Sequence, residues 1–203
     1  MKYQGSKRRL AKHILPIILA DRQPEQWYVE PFVGGFNMIE NVENPRIGND
    51  LNHFTIALFE ALLTGWQPPT VVSECLYENL KRDRFKYPPE LVGFVGFGCS
   101  YGAKFFGGYA RGKNKNGFSR NYADENARHL LKQVKKLEGI VLSNEHYEDV
   151  DYPDNSLIYC DPPYKGTQAY KTGEFNSSKF FDWCVDMKSK GHTVLVIEHN
   201  LDV

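Results

Sequence analysis

Asp161-Pro162-Pro163-Tyr164 follows directly on the apolar run Leu157-Ile158-Tyr159-Cys160. A strand that ends in an acid, two prolines and an aromatic ring is suited to activating an exocyclic amine of a base. Such an amine is a poor nucleophile, because its lone pair is delocalised into the ring. A carboxylate accepting one N–H and a backbone carbonyl accepting the other would localise that pair and aim it at an electrophilic carbon, as methyl transfer requires. Asp161 supplies the carboxylate and Pro162 the carbonyl. The prolines stiffen the turn and remove competing N–H donors, while Tyr164 offers a face on which a flipped base can stack. A Pro-Pro turn closing a strand beside an incidental aromatic would look the same. Four specified residues in this order arise by chance about once per thousand chains of this length.

A second constellation lies near the start. Val29-Glu30-Pro31-Phe32-Val33-Gly34-Gly35 puts a glycine turn at the carboxyl end of an apolar strand, which is where open α/β sheets bind ligands. Glycines let the backbone approach a ligand that a Cβ would obstruct. Asp50 ends the next strand, about 20 residues after Glu30, a position suited to a carboxylate that takes two ribose hydroxyls. The full G-x-G-x-x-G of dinucleotide sites is absent. Little phosphate-cradling capacity is visible, so the pattern points to a nucleoside-type cofactor without phosphate.

Charge separates a third region. The chain carries 25 Lys and Arg against 25 Asp and Glu, yet residues 81–136 hold 13 basic against 4 acidic. A basic segment inside a neutral chain is the footprint of a phosphate-binding surface. Within it, Gly96-Phe97-Gly98-Cys99-Ser100-Tyr101-Gly102 and Lys104-Phe105-Phe106-Gly107-Gly108-Tyr109-Ala110-Arg111-Gly112-Lys113 interleave aromatics, glycines and cations. Lys104, Arg111, Lys113 and Lys115 can track phosphates, and Tyr101 can stack on or wedge beside a base. Asn114, Asn116, Arg120 and Asn121 can reach base edges. The alternative for Phe97, Tyr101, Phe105 and Phe106 is a small apolar core of the segment.

These residues need elements to position them. Residues 26–33 read as a strand, 36–42 as a short helical pattern and 45–50 as a second strand. Apolar spacing over 51–64 is helical, and Gly65 stops it. Residues 70–84 look helical, 86–96 are ambiguous because of Pro88-Pro89, and 93–117 read as irregular. A helix over 122–137 is closed by Gly139. Strands follow at 140–143, 156–160 and 193–198, the last two joined by a helix over 177–190. Residues 166–173 read as a mobile loop. Strands alternating with helices indicate an α/β parallel sheet. The division expected is a catalytic domain of 1–79 and 139–203, with 80–138 inserted.

The four cysteines, Cys75, Cys99, Cys160 and Cys184, show no ligand spacing, which suits free thiols and no metal. No apolar stretch approaches ~20 residues, and the basic start lacks a signal-peptide core. The expectation is a soluble, cytoplasmic protein.

Taken in order, Lys2-Tyr3-Gln4-Gly5-Ser6-Lys7, Glu30 to Gly35, Asp50, the basic insert and Asp161-Pro162-Pro163-Tyr164 resemble the adenine-specific DNA methyltransferases, most closely the Dam-like group, many of them phage-encoded. The resemblance implies a Rossmann-like sheet with a mainly helical target-recognition lobe. It also implies S-adenosylmethionine as methyl donor, duplex DNA as partner and the N6 of adenine as acceptor, in a bacterial or phage-infected cell. By position, Tyr3, Lys7, Glu30, Phe32, Gly34, Asp50 and Asp161 fall to the cofactor side. Family members usually continue past the strand at 193–198 into a helix and a hairpin, so on this reading the chain lacks its carboxyl-terminal end. Two other readings stay open: a relative that binds DNA without turnover, and a methyltransferase acting on RNA or a protein glutamine. An acid at 161, where amide-modifying enzymes more often carry Asn, argues against the glutamine substrate.

Overall fold

The computed structural model describes residues 1–163 and 175–197. Tyr164, the loop expected at 166–173 and Glu198 lie outside the described residues. The chain divides into two compact units, one of residues 1–9, 34–41 and 52–138, the other of residues 10–33, 42–51 and 139–203. The segment 80–138 falls within the first unit, together with residues 52–79.

The second unit holds the sheet. Its strands are β1 (Tyr28–Glu30), β2 (Arg46–Asn49), β3 (Val141–Ser143), β4 (Leu157–Cys160) and β5 (Thr193–Val196), in the order β3-β2-β1-β4-β5. Every pairing is parallel, with Tyr28 opposite both Arg46 and Leu157 and Val29 opposite both Ile47 and Ile158. Strands buried in a parallel sheet read as continuous apolar runs, which is how Leu157-Ile158-Tyr159-Cys160 betrays β4. The run over 26–33 yields only three strand residues, because Pro31 has no N–H to donate and the chain turns there. Val33 rejoins through its N–H to the carbonyl of Asn49, at 2.8 Å.

Helix α6 (Ser177–Ser189) is capped by Asn176, whose side chain accepts from the Lys179 N–H at 3.0 Å. Phe180, Trp183 and Met187 of α6 pack with Val29, Ile47, Ile158 and Cys160 of the sheet and with Tyr147 and Val150. This is the core of the unit, and it fixes the ends of β1 and β4. Helix α1 (Ala11–Ile18) has no counterpart in the reading of the sequence, where Pro16 and the basic residues around it masked the buried Ala11, Leu15 and Ile18.

The first unit is helical. Helix α2 (His53–Leu63) is capped by Asn52, which accepts from the Phe54 N–H at 3.1 Å. Helix α3 (Glu74–Arg82) is capped by Ser73. Helix α5 (Tyr122–Val134) matches the expected element within a turn. The expectation of irregular structure over 93–117 is corrected in its first part: Pro89–Gly98 forms helix α4. Glycine disfavours a helix in isolation, but here small residues admit neighbours. A Cβ on Gly93 would lie 2.1 Å from the Phe54 carbonyl oxygen, one on Gly96 2.4 Å from the Phe105 ring and one on Gly98 1.9 Å from Asn126. From 99 to 117 the chain is mostly irregular, with a 3-10 turn at Tyr101–Ala103 and antiparallel bridges Ser100 to Tyr109 and Lys113 to Ser119. The helical pattern over 36–42 reduces to one 3-10 turn, Ile39–Asn41.

Candidate active site

In the strand order β2-β1-β4, the chain leaves β1 toward one neighbour and returns on β4 at its other side. The carboxyl ends of β1 and β4 are therefore the switch point at which open α/β sheets take their ligands. Glu30 ends β1 and Asp161 follows β4 by one residue. With Val29 level with Ile158, Glu30 is level with Tyr159, so the two acids emerge side by side on the same edge. Asp50 follows β2 on that edge. Three acids thus stand at the carboxyl ends of three adjacent strands.

Asp161 is partly exposed, Pro162 is buried and Pro163 is partly exposed. The carbonyl of Cys160 accepts from the Ile197 N–H at 3.0 Å, so the β4–β5 ladder holds the chain up to the residue before Asp161. Asp50 is nearly buried, at 9 % exposure. Its N–H reaches the Ser143 carbonyl at 3.4 Å, and its own carbonyl accepts from the Asn144 amide at 2.7 Å. The backbone at Asp50 is thus held on both sides.

Glu30 is the most perturbed acid on this edge. It is 3 % exposed, and the Tyr28 hydroxyl donates to its Oε1 at 2.8 Å. Burial pushes its carboxyl up to about 8; the Tyr28 hydrogen bond and the Arg46 charge oppose the shift, and the Asp161 charge adds to it. At neutral pH Glu30 is mainly a neutral acid. Burial also raises the Cys160 thiol well above its ordinary range, leaving it inert within the strand.

Two residues that position this edge escaped the motif search. Tyr28 lies two residues before Glu30 and so faces the same side of β1; that period of two was the available signal. Asn49 is fully buried, and its amide donates to the carbonyls of Pro31 and Glu145, each at 3.0 Å, while its side-chain oxygen accepts from the Glu145 N–H at 2.9 Å. It clamps the turns after β1 and β3 to the end of β2. An amide directly before Asp50 at the end of a buried strand was the only hint.

Phe32 is half-buried in an aromatic cluster, 5.5 Å from Tyr147, 5.9 Å from Phe175 and 5.7 Å from Phe180 between ring centroids. In the helical unit, Gly34 has φ +50°, and a Cβ there would meet the Tyr3 ring at 2.8 Å. The glycine therefore serves both the left-handed turn and the approach of Tyr3. Lys7 is buried, with its Nζ 3.3 Å from the Gly5 carbonyl.

The basic residues divide by their engagements. Phe97 and Phe106 are buried, and Phe105 packs on both at 4.8 and 4.9 Å, so for these three the packing alternative holds. Tyr101 stands 73 % exposed. Lys104, Lys113 and Lys115 are exposed. Arg111 pairs with Glu74. Arg120 bonds Glu125 through its Nε at 2.9 Å and lies 4.5 Å over the Tyr122 ring. Asn121 uses both ends of its side chain internally: it caps α5 by accepting from the Asp124 N–H at 3.1 Å and donates to the Thr70 carbonyl at 2.9 Å. Among the described residues, no three His, Cys, Asp or Glu side chains group as a metal would need. No described helix is long and apolar enough to cross a membrane.

A parallel sheet whose switch point carries Glu30 and Asp161, with Asp50 beside them, has the form of an open, ligand-binding α/β sheet. The chain belongs to the D12 class of N6 adenine-specific DNA methyltransferases, whose family model matches residues 3–88 and 93–201. It is also similar to the Type II methyltransferase M.FokI of Planomicrobium okeanokoites, at 24 % identity over 212 residues. That alignment takes in 90 % of this chain but 31 % of the relative, so the chain spans about a third of the longer protein's length.

Proposed function

We propose that this chain transfers a methyl group from S-adenosylmethionine to the N6 amine of adenine in a short duplex DNA site. The observation that carries the reading is the placement of Asp161 and Pro162 immediately past β4, at the switch point of a sheet belonging to this family. The donor set suits the cofactor: a sulfonium cation with ribose hydroxyls meets acids on three adjacent strand ends. Asp50 would take the hydroxyls. Asp161 would lie toward the cationic end, Glu30 would meet the cofactor as a neutral hydrogen-bonding group, and Tyr3, Lys7, Phe32 and Gly34 are proposed as further contacts. When bound, the cofactor would supply an electrophilic methyl carbon and keep the electron pair of the broken S–C bond as a neutral thioether.

The chain's own part is to prepare the amine. Asp161 accepts one N–H and the Pro162 carbonyl the other, which localises the nitrogen lone pair and orients it for in-line attack. Pro162 and Pro163 offer no N–H that would compete for the carboxylate. As the N–C bond forms, the amine proton passes toward Asp161 and on to solvent. Tyr164 is proposed as the stacking face for the flipped adenine. Tyr101, Lys104, Arg111, Lys113 and Lys115 are proposed to hold the duplex, with Arg120 presented from its stack on Tyr122. The internal bonds of Asn121 favour a role in shaping that surface over one in reading a base edge. Tritiated methyl transfer to duplex DNA, with the N6-methyladenine identified after nucleoside digestion, tests the reading; label appearing only in RNA or protein would sink it.

A further inference from the structure

Arg84 opens the 3-10 turn Arg84–Lys86 after α3. Its guanidinium lies 6.0 Å over the Phe85 ring and 5.9 Å over the Phe105 ring. Among the described residues, no carboxylate or carbonyl accepts from it. An arginine flanked by two aromatic rings keeps its N–H fork available, and a guanidinium binds phosphate oxygens two at a time. Lys81, on the last turn of α3, is exposed and likewise unpaired among the described residues. Arg82 and Lys86 both turn to Asp83, at 3.2 and 3.7 Å, so the nearest acid is already engaged. Glu78, one turn back on α3, is exposed.

Between these cations Phe85 is 86 % exposed, the most exposed large apolar side chain among the described residues. Its ring rests on Phe54, 5.7 Å between centroids. An aromatic propped outward beside a prepared arginine matches the alternation of sugar and phosphate along a nucleic-acid backbone. Electrostatics exclude an acid-poor, apolar partner as the better fit, because four of the six residues 81–86 are cationic.

We infer that Arg84, Lys81 and Phe85 form a second DNA-backbone contact, separate from the Lys113 and Lys115 segment, in which the two cations bind phosphates and the Phe85 ring packs on deoxyribose. This rests on the proposed DNA substrate. It adds a docking surface that the motifs of the sequence do not mark, since neither Arg84 nor Phe85 belongs to any of them.

The test is duplex affinity as a function of KCl, measured with a fluorescent 25-base-pair duplex of mixed sequence. Each phosphate contact contributes about 0.9 to the log–log salt slope. The double variant Lys81→Gln/Arg84→Ala should lower the slope by about 1.8, and Phe85→Ala should weaken affinity severalfold with the slope kept. S-adenosylmethionine affinity, read by calorimetry in the same variants, should stay at the wild-type value. Because Arg84 packs on Phe105, the single variants Lys81→Gln and Arg84→Lys serve as controls that preserve folding. Lys81→Gln alone should lower the slope by about 0.9, and Arg84→Lys should keep the slope while losing affinity. Wild-type slopes and affinities in folded variants would overturn the inference while leaving the DNA substrate intact. A wild-type protein that fails to bind the duplex at all would overturn the substrate itself.

Discussion

At the scale of single residues the account turns on three acids that share one sheet edge but not one environment. Glu30 is buried and raised to about 8 against an ordinary 4.5. The folded chain therefore holds a proton on Glu30 that the unfolded chain releases between those two values. Stability should fall as pH rises through that window and level off above it, by up to about 1.4 kcal/mol per pH unit. Glu30→Gln removes the titration, so urea denaturation from pH 5 to 9 should show the variant gaining on wild type as pH rises. Parallel curves would mean that Glu30 is ionised in the fold, paired more strongly than its single described bond to Tyr28 implies. Asp50 is proposed for the opposite task of meeting a ligand. Asp50→Ala should raise the dissociation constant for S-adenosylmethionine, since each charge-assisted hydroxyl contact is worth ~1.5–3 kcal/mol. Calorimetry showing unchanged cofactor affinity would return Asp50 to a structural role.

At the scale of elements the helical unit depends on α4. Its glycines admit the Phe54 carbonyl, the Phe105 ring and Asn126 at distances no side chain tolerates. Gly93→Ala should cost about 1–3 kcal/mol, because its new methyl group meets backbone that can yield only by shifting α2. Thermal unfolding measures this, and an unchanged midpoint would show that α2 and α4 can slide apart freely. The same helix shows where sequence reading fails. Glycine propensity and interleaved aromatics argue for irregular structure over 93–98, and tertiary packing overrides both. Strand β4 was legible because burial on both faces makes it a short apolar run. Strand ends were less so: Pro31 cuts β1 short by removing a donor, a consequence visible only once its partner strand is known. Asp161 and Asp50 were legible because a motif sits at each strand end. Tyr28 and Asn49 were not, because a supporting hydrogen bond has no pattern of its own.

Across the whole molecule, charge assigns the tasks. A chain balanced overall concentrates its cations in residues 81–136, while Glu30, Asp50 and Asp161 stand at strand ends of the sheet. Lys113 and Lys115 stand exposed in the part of the helical unit that holds the Lys113 to Ser119 bridge. Replacing both with Ala should lower the salt slope of duplex binding by about 1.8 and weaken all sequences alike. Cofactor affinity should stay as it is, because the acids proposed to hold the cofactor belong to the sheet. An unchanged slope would place the duplex elsewhere on the chain.

The central claim is that Asp161 prepares an adenine amine for methyl transfer. Tritiated methyl incorporation into duplex DNA, for the 203-residue chain and for its Asp161→Ala variant, tests it most directly. The account predicts N6-methyladenine from the wild-type chain. It predicts a rate at least ~10²–10³ lower from the variant at saturating S-adenosylmethionine, with the melting transition retained. Wild-type turnover in a folded Asp161→Ala chain would contradict it.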